Sequence, residues 1–243
     1  REKYSDTFGI ESRMSNRALR ALELFGKDQS ISAKEFEQYK YDTHYSDESY
    51  MSQFVNRVIS LSDNFEDDQL MDGVDILKSW DKNTDFENKH ASLPIISFGW
   101  FMETSPDDVP DEQLIESFTF GVKYLYNHYG RLDVIWGNIN RLIRGSLNLG
   151  IAGGPDVSHA VYGLPTEEGY LKGYAGDAFI MLVEWEKDGQ VSSQSIHQYG
   201  SNVQHESSTH YADQAKLFVN RNLKPALRTL QDIKENVERV YSP

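Results

Sequence analysis

The sequence predicts an α+β protein, with helices through its first half and antiparallel strands in its second. Three observations carry that expectation. Apolar residues recur at three- and four-residue spacing from Met14 to Tyr129. A near-continuous apolar run, DAFIMLVEWE at 177–186, then breaks that rhythm. Asp188-Gly189 marks a hairpin turn directly behind the run.

Met14, Ala18, Leu22 and Phe25 form the first helical stripe, and Gly26 is placed to stop it. Ser32 and Glu35 make a capping box for a short helix through Phe36 and Tyr39. Tyr50, Phe54, Val58 and Leu61 form a third stripe, and DNFEDD at 63–68 reads as a helix N-terminus, with a weak cation contact as the lesser alternative. In DDVPDEQLIESFTFGVKYLYNHYG (107–130), Pro110 suits the first turn, while Asp111 and Glu112 oppose the helix dipole there. Leu114, Phe118, Val122, Leu125 and Tyr129 share a face of that helix, and Gly130 closes it. After the turn-rich GIAGGPD, the apolar run reads as a strand buried on both faces, with QVSSQSI returning antiparallel. An apolar stretch around Leu217 and Phe218 and a short helix near Ile233 and Val237 complete the chain. With no repeat or low-complexity linker, residues 1–243 read as one α+β unit, mainly helical over 1–150, with hairpin strands and a closing helix over 151–243.

The 243 residues leave room for a substantial core. A formal charge of -14 argues against nucleic acid or an anionic membrane as partner, since either calls for a basic patch. There is no cysteine, so disulfides and thiolate chemistry are excluded. No apolar run approaches the roughly 20 residues of a membrane span. No signal peptide is expected, and the opening REKYSDTFGIESR reads as the interior of a protein.

Several stretches approach a chemical motif and miss it. His205-Glu206 followed by His210 is one residue out of step with the zinc motif H-E-x-x-H. On a helix the two imidazoles would sit about 140° apart, against about 40° in the true motif. The neighbouring Ser207, Ser208 and Thr209 favour a turn, so neither zinc nor any other metal or cofactor is expected. DKNTDFENKHAS (81–92) has oxygen side chains spaced like a calcium loop, yet Phe86 replaces the required glycine and Ser92 the bidentate glutamate. A polar surface loop is the plainer reading. GGPD (153–156) has no downstream G-K-S/T and no strand pattern before it, which argues against a phosphate cradle. No G-x-S-x-G occurs, and Ser195 near His197 is strand alternation. Arg13, Arg17 and Arg20 share one helix face opposite the apolar stripe, and residue spacing alone reads them as a solvated basic face.

Taken together, several stretches resemble the penicillin acylase (penicillin amidase) family, nearest its aculeacin and acyl-homoserine-lactone acylase branch. FGIESRMSNRALRALELFG (8–26) resembles the helix that follows the family's oxyanion segment. IWGNINRLIRG (135–145) and GIAGGPDVSHAVYG (150–163) resemble consecutive family blocks. STHYADQAKLF (208–218) resembles the closing segment, with Thr209 in place of the usual proline. The likeness extends to KPALRTLQDI near the C-terminus, and it rests on the order of the blocks.

The resemblance implies the C-terminal portion of a large subunit in a four-layer αββα N-terminal-nucleophile hydrolase. Such enzymes cut linear amides with a serine that opens its own chain and uses its α-amino group as base. Arg1 carries no nucleophilic hydroxyl, and the oxyanion asparagine would lie upstream. Arg13 would then occupy the place of an arginine that orders the active-site network. His210, Tyr211 and Asp213 would tie down the returning chain. The implied partners are the small subunit and the N-terminal part of the large subunit, with an acyl-amide as substrate. The implied location is periplasmic or secreted. This chain alone is expected to be inactive and to self-associate. The rival reading is a non-catalytic binding or assembly module on the same fold.

Overall fold

The computed structural model describes residues 13–202 and 204–237. Arg1 and residues 8–12 of the first family-like stretch lie outside them. Contacts divide the chain into two compact units, Arg1–Asp177 and Ala178–Pro243.

The first unit opens with α1 (Asn16–Phe25), α2 (Ala33–Lys40), α3 (Tyr50–Leu61) and α4 (Asp68–Ser79). Each start is capped by an oxygen side chain, those of Ser15, Ser32, Ser49 and Asp67 in turn. Ser32 and Glu35 complete a reciprocal capping box. Next come α5 (Ser92–Phe98) and α6 (Asp111–Tyr129), the latter ended by Gly130 in the left-handed conformation at φ 65°. α5 and α6 pack unusually close, because a Cβ on Gly121 would meet the Ser97 hydroxyl at 2.1 Å. Phe54, Phe98, Phe118 and Leu125 are fully enclosed at the centre of the resulting core.

α7 (Trp136–Ile139) leads into β1 (Asn140–Arg144) and β2 (Leu147–Gly150), and then β3 (Val161–Pro165) and β4 (Leu171–Gly176) follow. The sheet order is β2-β1-β4-β3, with a parallel pair, β1 and β4, between two antiparallel ones. These strands were not legible in the sequence. They are short and carry arginine, tyrosine and glycine where an alternating apolar pattern would otherwise announce them. A strand does precede GGPD, contrary to the sequence reading, and strands begin inside the stretch expected to be mainly helical.

The second unit contains β5 (Phe179–Trp185), β6 (Val191–His197), α8 (Ala215–Val219), β7 (Lys224–Pro225) and α9 (Leu230–Glu235). β5 and β6 pair antiparallel from Phe179↔His197 to Trp185↔Val191, and β7 pairs with β6. Gly189 at φ 87° turns the hairpin. The expectation of burial on both faces of β5 fails. Ile180 is buried, whereas Phe179 and Trp185 are 52% and 71% exposed and Met181 and Val183 lie open on the same face. Pleating puts these four on one side, and nothing among the described residues covers it.

Candidate functional site

The N-terminus of α1 is anchored by a cluster of buried hydrogen bonds around Asn16. Asn16 uses all of its hydrogen-bonding groups there. Its backbone N–H donates to Asp156 Oδ2 at 2.7 Å, and its Nδ2 donates to the carbonyls of His44 and Asp156, both at 3.0 Å. Its Oδ1 accepts from the Ser46 N–H at 2.8 Å. Asp156 is itself buried and held at φ 58°, a conformation that side chains rarely adopt. The Tyr45 hydroxyl donates to the carbonyl of Pro155, and the Asp156 N–H donates to the Tyr162 hydroxyl at 3.3 Å. The GGPD turn therefore grips a helix through its carboxylate.

This anchoring docks the polar side of α1, which the sequence pattern did not anticipate, while Phe25 of the apolar stripe packs against Phe36 and Tyr39. Asn16, Arg20 and Glu23 lie at i, i+4 and i+7 and face inward, each with a partner. Met14 and Leu22 face outward, Leu22 at 62% exposure. The three arginines also part company. Arg13 precedes the helix, which begins only at Asn16, and its Nη1 donates to the Met102 carbonyl. Arg17 pairs with Asp156 Oδ1 at 3.3 Å while remaining half exposed. Arg20 forms a two-pronged pair with Asp42 at 2.9 and 3.0 Å and also reaches Glu23. The single solvated basic face is corrected on both counts. Arg13 is off the helix, and Arg20 sits on the docked polar side.

Charge pairing sets the protonation of this region. Burial pushes the Asp42 carboxyl up, but hydrogen bonds from His44 and Arg20, with the charge of Arg20, outweigh it and hold the group below its ordinary value. The bond to Asp42 raises His44 above the usual imidazole value and raises Arg20 as well. A second buried network, unanticipated from sequence, joins His159, Asp177 and Lys40. The fully buried His159 ring sits 3.2 Å from Asp177 Oδ2, and Lys40 Nζ lies 2.6 Å from the same atom. Burial raises Asp177, yet His159 and Lys40 together draw it below the normal carboxylate range. Among the described residues, no three of His, Asp or Glu come together as a metal site.

Comparison with known proteins supplies the identity that this geometry lacks. The family model described as penicillin amidase matches residues 1–235. The chain belongs to the penicillin amidase family. Among solved structures it is similar to the thermostable penicillin G acylase from Alcaligenes faecalis, at 12% identity and a TM-score of 0.47. That alignment covers all of this chain and 55% of the acylase chain. A search of curated proteins returns no match.

In this penicillin amidase family chain, residues 198–202 and 204–214 fold as a compact turn in the second unit. His210 Nδ1 lies 2.9 Å from Asp213 Oδ2, and the His210 N–H donates to the Ser208 hydroxyl at 3.1 Å. The Tyr211 N–H donates to the Ser208 carbonyl, and the Asn202 N–H to the His210 carbonyl, both at 3.1 Å. Gly200 lets these strands of chain meet, since a Cβ there would sit 2.1 Å from the His210 carbonyl oxygen. Gln214 closes the turn, donating its N–H to the Tyr199 carbonyl at 2.7 Å and accepting from the His197 N–H at 3.1 Å.

Proposed function

We propose that this chain is the C-terminal part of a penicillin acylase-type large subunit, of the aculeacin and acyl-homoserine-lactone acylase branch. In this reading residues 1–243 contribute outer helices and inner strands to a four-layer αββα sandwich. The small subunit and the N-terminal part of the large subunit supply the remainder. The observation that carries the reading is the family match over 1–235. The open apolar face of β5 supports it, because a strand of that composition calls for a covering layer.

The reaction is hydrolysis of a linear amide, releasing an acyl chain from a lactone amine, a peptide antibiotic or a β-lactam nucleus. The nucleophilic serine lies outside these residues. Its hydroxyl proton passes to its own α-amine as Oγ attacks the carbonyl, and that proton then leaves on the departing amine. Water hydrolyses the resulting acyl-enzyme. Arg13 orders the network around the tetrahedral oxyanion, while His210, Tyr211 and Asp213 serve only to return the chain. The enzyme works in the periplasm or outside the cell. Alone, this chain is inactive on amides.

The test uses the complete enzyme. Arg13→Ala lowers kcat by about 10²–10³, the scale expected for losing one group of an oxyanion network. Arg17→Ala, with its half-exposed side chain, serves as the control and changes kcat little. Equal, small losses at both positions remove Arg13 from the mechanism. Amide turnover by this chain alone, surviving repurification, would sink the whole assignment.

A further inference from the structure

The helix that follows Arg13 lacks, in its own sequence, the charge that its N-terminus calls for. The first N–H groups of a helix have no partner within it and favour a negative charge beside them. α1 carries no acidic residue in its first turn. Its cap, Ser15, accepts from the Ala18 N–H at 3.3 Å. The Asn16 N–H is satisfied instead by Asp156 Oδ2, a carboxylate 140 residues further along the chain.

Asp156 is held firmly for that contact. It is 6% exposed and sits at φ 58°, a conformation that persists only where the surroundings enforce it. Here the Tyr45 hydroxyl donates to the Pro155 carbonyl, and the Tyr162 hydroxyl accepts from the Asp156 N–H. Asp156 grips Asn16 a second time, because its carbonyl accepts from Asn16 Nδ2 at 3.0 Å. Arg17 Nε, 3.3 Å from Oδ1 on a half-exposed side chain, is the outermost of these contacts.

Only Met14 and Ser15 separate this clasp from Arg13. Three residue steps span at most about 11 Å, so the start of α1 dictates where Arg13 falls. The Arg13 guanidinium in turn donates to the carbonyl of Met102, a buried member of the core. Arg13 is thus fixed at its backbone by the clasp and at its tip by the core.

We propose that Asp156 is a positioning residue for the amidase reaction, its carboxylate setting the first turn of α1 and so the place of Arg13. The proposal rests on the role given to Arg13 above. Asp156 touches no reacting atom and acts through Asn16 and Arg13. Misplacing a group of an active-site network by about 1 Å can slow a reaction about 10²-fold. The loss falls on kcat and leaves KM alone, because the displaced group acts in the transition state.

The test is a double-variant cycle in the complete enzyme. Asp156→Gly removes the carboxylate and leaves a residue that adopts φ 58° without strain. It lowers kcat at least about tenfold and keeps KM within about twofold. On the Arg13→Ala background the same change alters kcat by less than about twofold, since nothing remains for the clasp to position. Asp156→Asn keeps one acceptor oxygen and also tolerates positive φ, so it loses less than Asp156→Gly. It is carried through the same cycle, which covers a glycine variant that fails to fold. A kcat loss that multiplies with that of Arg13→Ala, or one matched by a rise in KM, overturns the proposal and leaves Arg13 in its role. Unchanged kcat in both Asp156 variants does the same. Unchanged kcat in Arg13→Ala removes the role of Arg13 and this proposal with it.

Discussion

In the first unit Phe54, Phe98, Phe118 and Trp136 are fully enclosed, whereas in the second Phe179, Met181, Val183 and Trp185 line an open face. The two sets are equally apolar, so composition does not explain the contrast. The first unit supplies its own cover, since α5 and α6 close over the core at a spacing that only Gly121 permits. The second unit has a hairpin, a two-residue third strand and two short helices, and its buried apolar residues include Ile180, Ile196, Ala215 and Phe218. A strand with core composition and one uncovered face is what the proposed covering layer would explain. α1 teaches the reverse lesson, because there Leu22 of the apolar stripe faces out and the polar stripe of Asn16, Arg20 and Glu23 is docked. Periodicity says which residues share a face, and partners decide which way that face turns.

The largest expected effect tests the closed core. Phe118→Ala removes a ring packed against Phe65, whose centroid is 5.9 Å away, and leaves a cavity that two helices held close cannot easily fill. It should cost about 3–5 kcal/mol in urea unfolding of the first unit. A loss below about 1 kcal/mol would mean that this core is far looser than its burial indicates.

Next in size is the polar docking of α1. Asp42→Asn leaves Arg20 without its two-pronged partner at a site where both side chains are largely buried. About 3 kcal/mol is expected, at the low end for broken buried pairs because Arg20 keeps some solvent and Glu23. Hydrogen exchange of α1 amides is the sharper readout, since the helix should loosen before the remaining core does.

The same network gives a smaller, pH-dependent effect. Asp42 titrates below its unfolded value, so its contribution is complete above about pH 4 and is lost as pH falls through the depressed folded value. His44 titrates above its unfolded value, so its contribution is complete below about pH 6.5 and fades as pH rises through the raised folded value. Urea midpoints should therefore decline at both ends. His44→Gln should flatten only the upper limb, and Asp42→Asn should alter both, because His44 loses its partner. An upper limb unchanged in His44→Gln would assign that pH dependence to another group.

Some of this was legible in the sequence. Pro110, Asp111, Glu112 and Gly130 bracket α6 as capping physics requires, and Ser32 with Glu35 announces α2. The likeness to the penicillin amidase family was legible too, and the match over 1–235 agrees with it. The four-stranded sheet was hidden because its strands run four to six residues and lack alternation. The inward turn of α1 was hidden because its cause, Asp156, lies 140 residues away from Asn16.

The smallest effect on stability is expected where the sequence is greasiest, on the open face of β5. Met181→Thr with Trp185→Thr removes two large exposed side chains from that face and keeps good strand formers in the hairpin. Neither side chain packs into a core, so unfolding should shift by no more than about 0.5 kcal/mol. Association should respond far more strongly. An exposed apolar strand face at the edge of a three-stranded sheet invites contact between copies of the chain. Light scattering should show the parent chain self-associating with concentration and the double variant shifted toward monomer. If the proposed layer covers this face, the same double variant placed in the complete protein should lose stability by a few kcal/mol, because there those side chains would be buried. A variant equally harmless in both settings would mean that β5 faces solvent in the assembled protein. The contrast between the units would then belong to the chain itself, with no absent partner behind it.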